Sequence, residues 1–181
     1  KAVFGKSEFD KNSLEPLLSY NRDISFEDAN KKYLFENKVC SNEDFEGRDL
    51  GDGVELNENN KLLRVGPESG EIYFNEWLKP YNEFTEKEFI WVSISFKALV
   101  SDSNSRTRIV MNIKRNKNGE NYGYFAKDIS KHKNFEINKW KNYTYYYLTP
   151  HIRNKKDIFQ SYFWYGGGGD VLIDNIQISH F

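Results

Sequence analysis

A single carboxylate interrupts the apolar rhythm of the last strand that the sequence predicts, at residues 171–179. Leu172, Asp174, Ile176 and Ile178 have the same parity, so in a regular strand their side chains point to one face. Burying an unpaired carboxylate among apolar neighbours costs several kcal/mol. Asp174 therefore needs a cation, backbone donors or solvent beside it.

Positive charge is concentrated in the middle of the chain. Residues 1–100 hold 13 Lys and Arg against 20 Asp and Glu, whereas residues 101–160 hold 13 against 5. Such a segment can bind an anionic partner, such as an acidic polysaccharide or a nucleic acid. Alternatively, acidic residues of the first half neutralise it in the folded sheet. No nucleic acid is expected as a partner, since no recognisable nucleic-acid-binding motif accompanies the charge.

The sequence contains none of the local motifs of the common metal hydrolases and phosphate-binding proteins. His132, His151 and His180 lie apart and form no zinc-type pair. No Gly-x-Ser-x-Gly elbow is present, and the four glycines at 166–169 lead into a strand rather than a helix, which predicts a turn. We therefore expect no enzyme, although a pair of glycosidase carboxylates could come from anywhere in the chain.

The composition favours a single all-β domain. Aromatic residues make up 17% of the 181 positions, which suits half-buried strands. No apolar run approaches the roughly 20 residues that span a bilayer, and Cys40 is the only cysteine, which excludes an internal disulfide. The chain begins at Lys1 without a methionine or a signal segment. We interpret it as a piece of a larger protein, with a linker or lead-in at 1–21 and the domain at 22–181.

From residue 24 onward, short apolar runs alternate with clusters of Gly, Asn, Asp and Ser, which is typical of a sandwich or barrel. A short helix or irregular loop fits best at 29–37. Asn118 and Gly119 predict a tight hairpin turn in which both residues have positive φ. The predicted strands are 23–27, 61–65, 71–77, 89–100, 106–115, 122–128, 140–149, 158–165 and 171–179.

Two of these strands show the clearest alternation, which predicts that each has one dry face. We also expect the two segments to be neighbours. Their apolar positions are Val92, Ile94, Phe96 and Ala98 in the first segment and Ile109, Met111 and Ile113 in the second.

Five short segments occur in an order that resembles a known fold family. They are Phe26-Glu27, then 62–65, a long strand at 91–98, 140–143 and the closing segment 171–176. In this order they resemble galactose-binding-domain-like jelly rolls, in particular the carbohydrate-binding modules that accompany xylanases and other bacterial glycanases. The resemblance implies an all-β jelly-roll β-sandwich of two antiparallel sheets over residues 22–180.

The resemblance also implies a structural calcium ion. In this family the metal commonly joins the first strand to the last, through the glutamate of the Phe-Glu pair and the aspartate of the closing strand. The matching residues are Glu27 and Asp174, and loop carbonyls would complete a shell of six to eight oxygens. A second Phe-Glu pair leaves Glu46 open as an alternative match.

The same resemblance implies that aromatic rings and nearby polar groups hold a sugar, because pyranose C–H faces stack on rings. Aromatic side chains of a β-sandwich are more often core than ligand. Tyr143, Tyr145 and Tyr147 share a strand face, which must be the core if all three are buried. Other possible platforms are Trp77 and Tyr165. The predicted ligand-binding residues are Tyr122, Tyr124 and Trp164, which lie beside loops, with Asn112, Asn121 and Gln160 as polar partners.

The sequence thus predicts a non-catalytic carbohydrate-binding or accessory module of a larger bacterial protein outside the cytoplasm, with an oligo- or polysaccharide as its partner. The alternative is a protein-interaction or structural jelly-roll domain of a cell-envelope protein without a sugar site. Burial of the candidate rings or a large exposed apolar patch would favour that alternative. A glycan-processing enzyme would need two carboxylates that face each other in a cleft.

Overall fold

The computed structural model describes residues 25–33, 38–43, 54–57, 60–73, 80–83 and 85–181. Within these residues no helix is both long enough and apolar enough to cross a membrane. Short 3₁₀ helices occupy Tyr81–Glu83 and Ile129–Lys131. The other elements are α1 (Phe26–Tyr33), β1 (Lys38–Glu43), β2 (Val54–Asn57), β3 (Asn60–Val65), β4 (Glu71–Tyr73), β5 (Trp91–Val100), β6 (Arg108–Lys114), β7 (Asn121–Asp128), β8 (Trp140–Leu148), β9 (Ile158–Trp164) and β10 (Val171–His180).

The strands form two antiparallel sheets. In the larger sheet the order is β2, β3, β10, β5 and β8, and β1 also pairs with β10. In the smaller sheet the order is β4, β9, β6 and β7. Strands distant in sequence therefore lie side by side, as β10 does between β3 and β5. The predicted jelly-roll β-sandwich of two antiparallel sheets is confirmed.

One apolar core lies between the sheets, and it contains all seven alternating positions predicted to be dry. The prediction that their two strands are neighbours is wrong, because β5 pairs with β8 and β10 whereas β6 pairs with β7 and β9. Alternation shows that a strand has an apolar face. Two such faces can meet across a core as well as within one sheet.

The predicted hairpin joins β6 to β7 with a longer loop than expected. The backbone N–H of Arg115 donates to the carbonyl of Glu120 at 2.8 Å, so four residues lie between the closing pair. Gly119 has a φ of 72°, whereas Asn118 is not among the residues with positive φ. The turn therefore needs only one left-handed residue, and glycine supplies it.

A bulge in β10 changes which of its residues face the core. The register with β5 shifts between Asp174 and Gln177, and Asn175 has a φ of 52°. Val171 and Ile173 are buried before the bulge, and Ile176 and Ile178 after it. Asp174 therefore shares a face with Leu172 but not with Ile176 and Ile178, which corrects the parity expected for a regular strand.

Helix α1 replaces the first predicted strand, 23–27, over the part that the structure describes. Ser25 caps the helix, because its Oγ accepts the backbone N–H of Asp28 at 3.1 Å and donates to the Asp28 carboxylate at 2.8 Å. Phe26 and Ala29 are buried against Phe89 and Trp91 on the outer face of the larger sheet. The predicted helix or loop at 29–37 is thus helical up to Tyr33. Strands β1 and β2 were not predicted, and the linker expected at 1–21 lies outside the described residues.

Candidate functional site

Four of the six predicted ligand-binding residues share one face of the smaller sheet. The core-facing positions of β6 and β9 include Ile109, Met111, Ile113, Phe159 and Phe163, so residues of the other parity lie on the outer face. On β6 and β9, Asn112 pairs with Gln160, and Trp164 pairs with Arg108. A register shift in β7 sets Gly123 and Tyr124 opposite Asn112. The shared set on the outer face is Tyr124, Asn112, Gln160 and Trp164.

These four side chains differ in their access to solvent. The Tyr124 ring is 60% exposed, and Trp164 is partly exposed. Asn112 and Gln160 are buried, with exposed fractions of 0% and 6%. Tyr124 and Trp164 are therefore the accessible rings, and the two amides lie beneath the surface between them.

The Asn112 amide is an unusual group to bury. Neither its Oδ1 nor its Nδ2 has a hydrogen-bond partner among the described residues. An unsatisfied buried polar group costs about 1–3 kcal/mol. Fold stability alone therefore does not account for an amide at this position.

Trp164 lies beside a cluster of charges. The Arg108 guanidinium carbon is 5.1 Å from the centre of the Trp164 ring, and its Nε donates to the Asp128 carboxylate at 2.5 Å. Lys131 lies 3.1 Å from the other oxygen of Asp128. Although burial alone would raise the pKa of Asp128, the hydrogen bonds from Arg108 and Lys131 lower it below its ordinary value. Asp128 is therefore held as a carboxylate.

Tyr122 does not join this face, and Asn121 lies at its edge, opposite Lys114. The Tyr122 hydroxyl donates to the Asp157 carboxylate at 2.6 Å, and the ring packs against the core. The guanidinium carbons of Arg115 and Arg153 lie 5.8 Å and 5.1 Å from the ring centre. Burial raises the pKa of Tyr122, and the bond to Asp157 raises it further. Tyr122 thus holds a loop together, and Asn121 is exposed at the start of β7.

The three tyrosines of β8 belong to the core. Tyr143, Tyr145 and Tyr147 are all buried, and Phe96 stacks against the first two rings. The Tyr147 hydroxyl donates to the carbonyl of Gly123. Trp77 lies outside the described residues, and Tyr165 packs against the core.

A groove of about 1000 Å³ runs along the edges of β7 and β8. Residues 25–27, at the start of α1, line one part of the groove, and residues 131–133, which follow β7, line another part. Tyr145 and Phe125 contribute apolar surface to it. Its charged lining residues are Arg108, Lys127, Lys131 and Lys133, against Glu27 and Asp128.

Two hydrogen-bond donors in the groove lining have no acceptor among the described residues. They are the indole Nε1–H of Trp91 and the hydroxyl of Tyr145. Their side chains are only 5% and 7% exposed, so these donors are not satisfied at an open surface. Burial raises the pKa of the Tyr145 hydroxyl, which therefore stays protonated as a donor.

The structure does not bring together the pair expected to hold calcium. Glu27 is on α1, whose Phe26 stacks on Tyr146, and Tyr146 pairs with Ser93. Asp174 pairs with Lys97, four residues further along β5, which is on the order of 13 Å at the rise of a strand. The carboxylate of Asp174 instead accepts the backbone and side-chain N–H groups of Asn175 at 2.8 and 2.9 Å. Two ligands of one calcium ion can be no more than about 5 Å apart.

The calcium ion itself stays a prediction. Among the described residues no group of three His, Cys, Asp or Glu side chains could hold a metal ion. Glu46, the alternative match, lies outside those residues.

Sequence reasoning missed the residues of the groove. Arg108, Lys127 and Lys133 belong to the basic middle segment, but charge along a sequence does not show which cations meet in space. Trp91 and Tyr145 were assigned to strands without a polar role. The Ser25-x-x-Asp28 spacing is a capping signal that could have placed α1 beside them.

No protein-family model and no curated protein matches the chain. Among solved structures it is similar to the CBM22-1 and GH10 modules of Clostridium thermocellum endo-1,4-β-D-xylanase 10B, complexed with xylohexaose. That match has 13% identity and a TM-score of 0.45, and it covers 73% of this chain and 25% of the other.

Two isolated modules are similar to the same degree. The CBM22-1 xylan-binding domain of Paenibacillus barcinonensis Xyn10C has 13% identity over 80% of this chain and 95% of its own, with a TM-score of 0.45. The family 11 carbohydrate-binding module of Clostridium thermocellum, in complex with a β-1,3-1,4-mixed-linked tetrasaccharide, has 16% identity over 78% and 94%, with a TM-score of 0.45. All three structures contain carbohydrate-binding modules, the family that the sequence resembles. At these identities the likeness concerns the fold alone.

Proposed function

We propose that this chain is a non-catalytic carbohydrate-binding module whose sugar site is the outer face of the smaller sheet. The observation that carries the proposal is the Tyr124 ring, 60% exposed on the same face as Trp164. An aromatic ring that is accessible on a sheet face can serve as a platform for a ligand. Sugar rings present C–H faces that stack on such rings.

Polar groups for sugar hydroxyls lie beside the two rings. The Arg108 guanidinium is next to Trp164, and Asn121 and Lys114 lie at the Tyr124 end of the sheet. The face therefore combines apolar platforms with donors and acceptors, which is the usual composition of a small-molecule site.

The charge state of the groove supports a module without catalysis. A glycosidase needs one carboxyl group that is protonated at the working pH and a second carboxylate facing it. Glu27 and Asp128 both line the groove, but Asp128 is ion-paired with Arg108 and Lys131. An aspartate held in this way does not serve as the acid.

We also propose that the module works outside the cytoplasm as part of a larger protein. Polysaccharides are too large to cross a membrane, so a protein meets them outside the cytoplasm. A module that only binds a polysaccharide is useful when it keeps a second domain of the same protein near that polysaccharide. The structural alternative, a jelly roll without a sugar site, draws support from the burial of Asn112 and Gln160.

A panel of immobilised glycans tests the proposal. Xylohexaose and a β-1,3-1,4-mixed-linked tetrasaccharide are suitable neutral probes, next to acidic oligosaccharides. Tyr124→Ala and Trp164→Ala should each weaken binding about tenfold or more, which is the scale of losing a stacked ring. Ile137→Ala is the matched control, because Ile137 is exposed and lies outside this sheet.

The thermal unfolding of each variant has to match the wild type for the comparison to hold. A folded wild-type chain that binds no glycan of the panel would contradict the proposal and favour the structural alternative. Equal losses in the Ile137→Ala control would show that binding does not use this face.

A further inference from the structure

The groove along β7 and β8 carries more positive charge than its own residues neutralise. Asp128 is paired with Arg108 at 2.5 Å and with Lys131 at 3.1 Å. Lys127 and Lys133 also line the groove, and neither has an acidic partner among the described residues. Two lysine ammonium groups are thus available to a ligand.

The remaining carboxylate of the groove is Glu27, at the start of α1. Burial raises the pKa of Tyr146, and the charge of the nearby Glu27 raises it further. Lys133 is next to His132, whose pKa it lowers after the larger effect of burial. The groove therefore has an acidic part near Tyr146 and a basic part formed by Lys127 and Lys133.

The unpaired lysines of the groove indicate what kind of ligand it can take. Ammonium groups that have no acidic partner favour a ligand that carries negative charge on acceptor oxygens.

The groove is continuous with the proposed sugar face. Arg108 lines the groove and also lies against the Trp164 ring, so one ligand can contact both regions. Phe125 and Tyr145 add apolar surface against which a sugar ring can lie.

We infer that the groove binds the acidic group of an anionic saccharide, with Lys127 and Lys133 as the residues that contact the charge. The inference rests on the proposed function in taking the ligand to be a glycan, and it names the class of glycan. A uronic acid carboxylate and a sugar sulfate share the chemistry that the groove recognises.

Calorimetric titrations show whether the groove binds a carboxylate or a sulfate. Hexagalacturonic acid tests the carboxylate, a sulfated hexasaccharide tests the sulfate, and xylohexaose is the neutral probe. At least one acidic probe should bind about tenfold more tightly than xylohexaose at low salt and lose most of that advantage at high salt.

A pair of double variants locates the contact. Lys127→Gln with Lys133→Gln should weaken binding of the acidic probe about tenfold or more, as expected for losing two charge-assisted hydrogen bonds. Lys117→Gln with Lys156→Gln is the matched control, because it removes the same charge from exposed positions outside the groove. This control should keep wild-type affinity.

Three results would overturn the inference. One is equal affinity for acidic and neutral probes, which would leave the proposed carbohydrate module intact. Another is an equal loss in the two double variants, which would show unspecific attraction. The third is binding of single-stranded DNA as tight as that of the acidic saccharides. Failure of every glycan to bind would count against the proposed function as well.

Discussion

His132 closes one end of the core with a neutral imidazole ring. Its Nδ1 accepts the backbone N–H of Asn134 at 3.1 Å, and its Nε2 lies 3.3 Å from the carbonyl oxygen of Thr144. The ring also contacts Tyr143 and Tyr145 edge-on. Burial lowers the pKa of His132 against the opposing effect of the Thr144 bond, and the charge of Lys133 adds a smaller lowering effect.

This lowered pKa predicts a loss of stability in mild acid. The unfolded chain takes up the proton at about pH 6.5, while the folded chain resists it, so the free energy of unfolding falls as the pH drops below that value. Denaturant unfolding at about pH 7.5 and about pH 5 measures the difference. His132→Gln should reduce the difference between the two pH values.

His151 provides the matched control for this experiment. It is an exposed histidine that lies 2.5 Å from the Glu88 carboxylate. His151→Gln measures what the loss of an exposed histidine by itself does to the free energy of unfolding at the two pH values. If His132→Gln shows the full wild-type loss in acid, then the acid sensitivity comes from another group.

Asn112 provides a second test, of how much an unpaired buried amide lowers the stability of the fold. Asn112→Leu replaces an amide that has no partner among the described residues with an apolar side chain of similar size. The free energy of unfolding should rise by about 1 kcal/mol, because the cost of the unsatisfied amide disappears. Asn112→Asp should instead lower it, since an unpaired charge is costlier to bury. A fall in the leucine variant would show that the amide has a partner, such as a buried water molecule.

The sequence could predict which polar and aromatic residues are candidates to contact a ligand, but it could not predict whether each of them is buried or exposed. Asn112, Gln160, Tyr124 and Trp164 were all predicted as ligand contacts, and they do share a face. Their burial depends on what packs over that face, which no local pattern reveals. Tyr122 looked like a platform because it lies beside a turn, yet its hydroxyl is bound to Asp157, 35 residues further along the chain.

Among the elements, β10 contains a bulge that depends on one residue in the left-handed region, Asn175. Asn175 has a φ of 52°, a region that glycine adopts freely and asparagine tolerates. Asn175→Ala should lower the free energy of unfolding by about 1 kcal/mol relative to Asn175→Gly. Both variants lose the side-chain bond to Asp174, so the difference between them isolates the backbone. Equal stabilities by denaturant unfolding would contradict the assigned role of the bulge.

The predicted strands differ from the structure at the bulge of β10 and at helix α1. Alternation of apolar and polar residues identified β5 and β6, because every second side chain belongs to the core between the sheets. In β6 the intervening Val110 and Asn112 are buried as well. A one-residue shift within β10 depends on its pairing with β5, so period alone placed Asp174 on the wrong face. A short apolar run predicted a strand at 23–27, whereas packing against Phe89 and Trp91 favours helix α1 there.

In the whole molecule, the two sheets have different outer faces. Helix α1 covers part of the larger sheet, where Phe26 lies between Trp91, Tyr146 and Phe181. The smaller sheet instead presents Tyr124 and Trp164, and the basic groove adjoins it at Arg108. Composition and element order predicted the jelly roll. Only the strand order shows that Tyr124 and Trp164 share an outer face, on which Val110 and Asn112 are buried.

The most direct test of the sugar site is a map of amide chemical shifts by two-dimensional NMR during titration with the glycan that binds best. We expect the shifts to cluster on the indole N–H of Trp164 and on the backbone of β7 and β9, and Tyr124→Ala should raise the glycan concentration at half-saturation about tenfold or more. Shifts confined to α1 and the larger sheet, or an unchanged half-saturation in Tyr124→Ala, would show that the outer face of the smaller sheet does not bind the sugar.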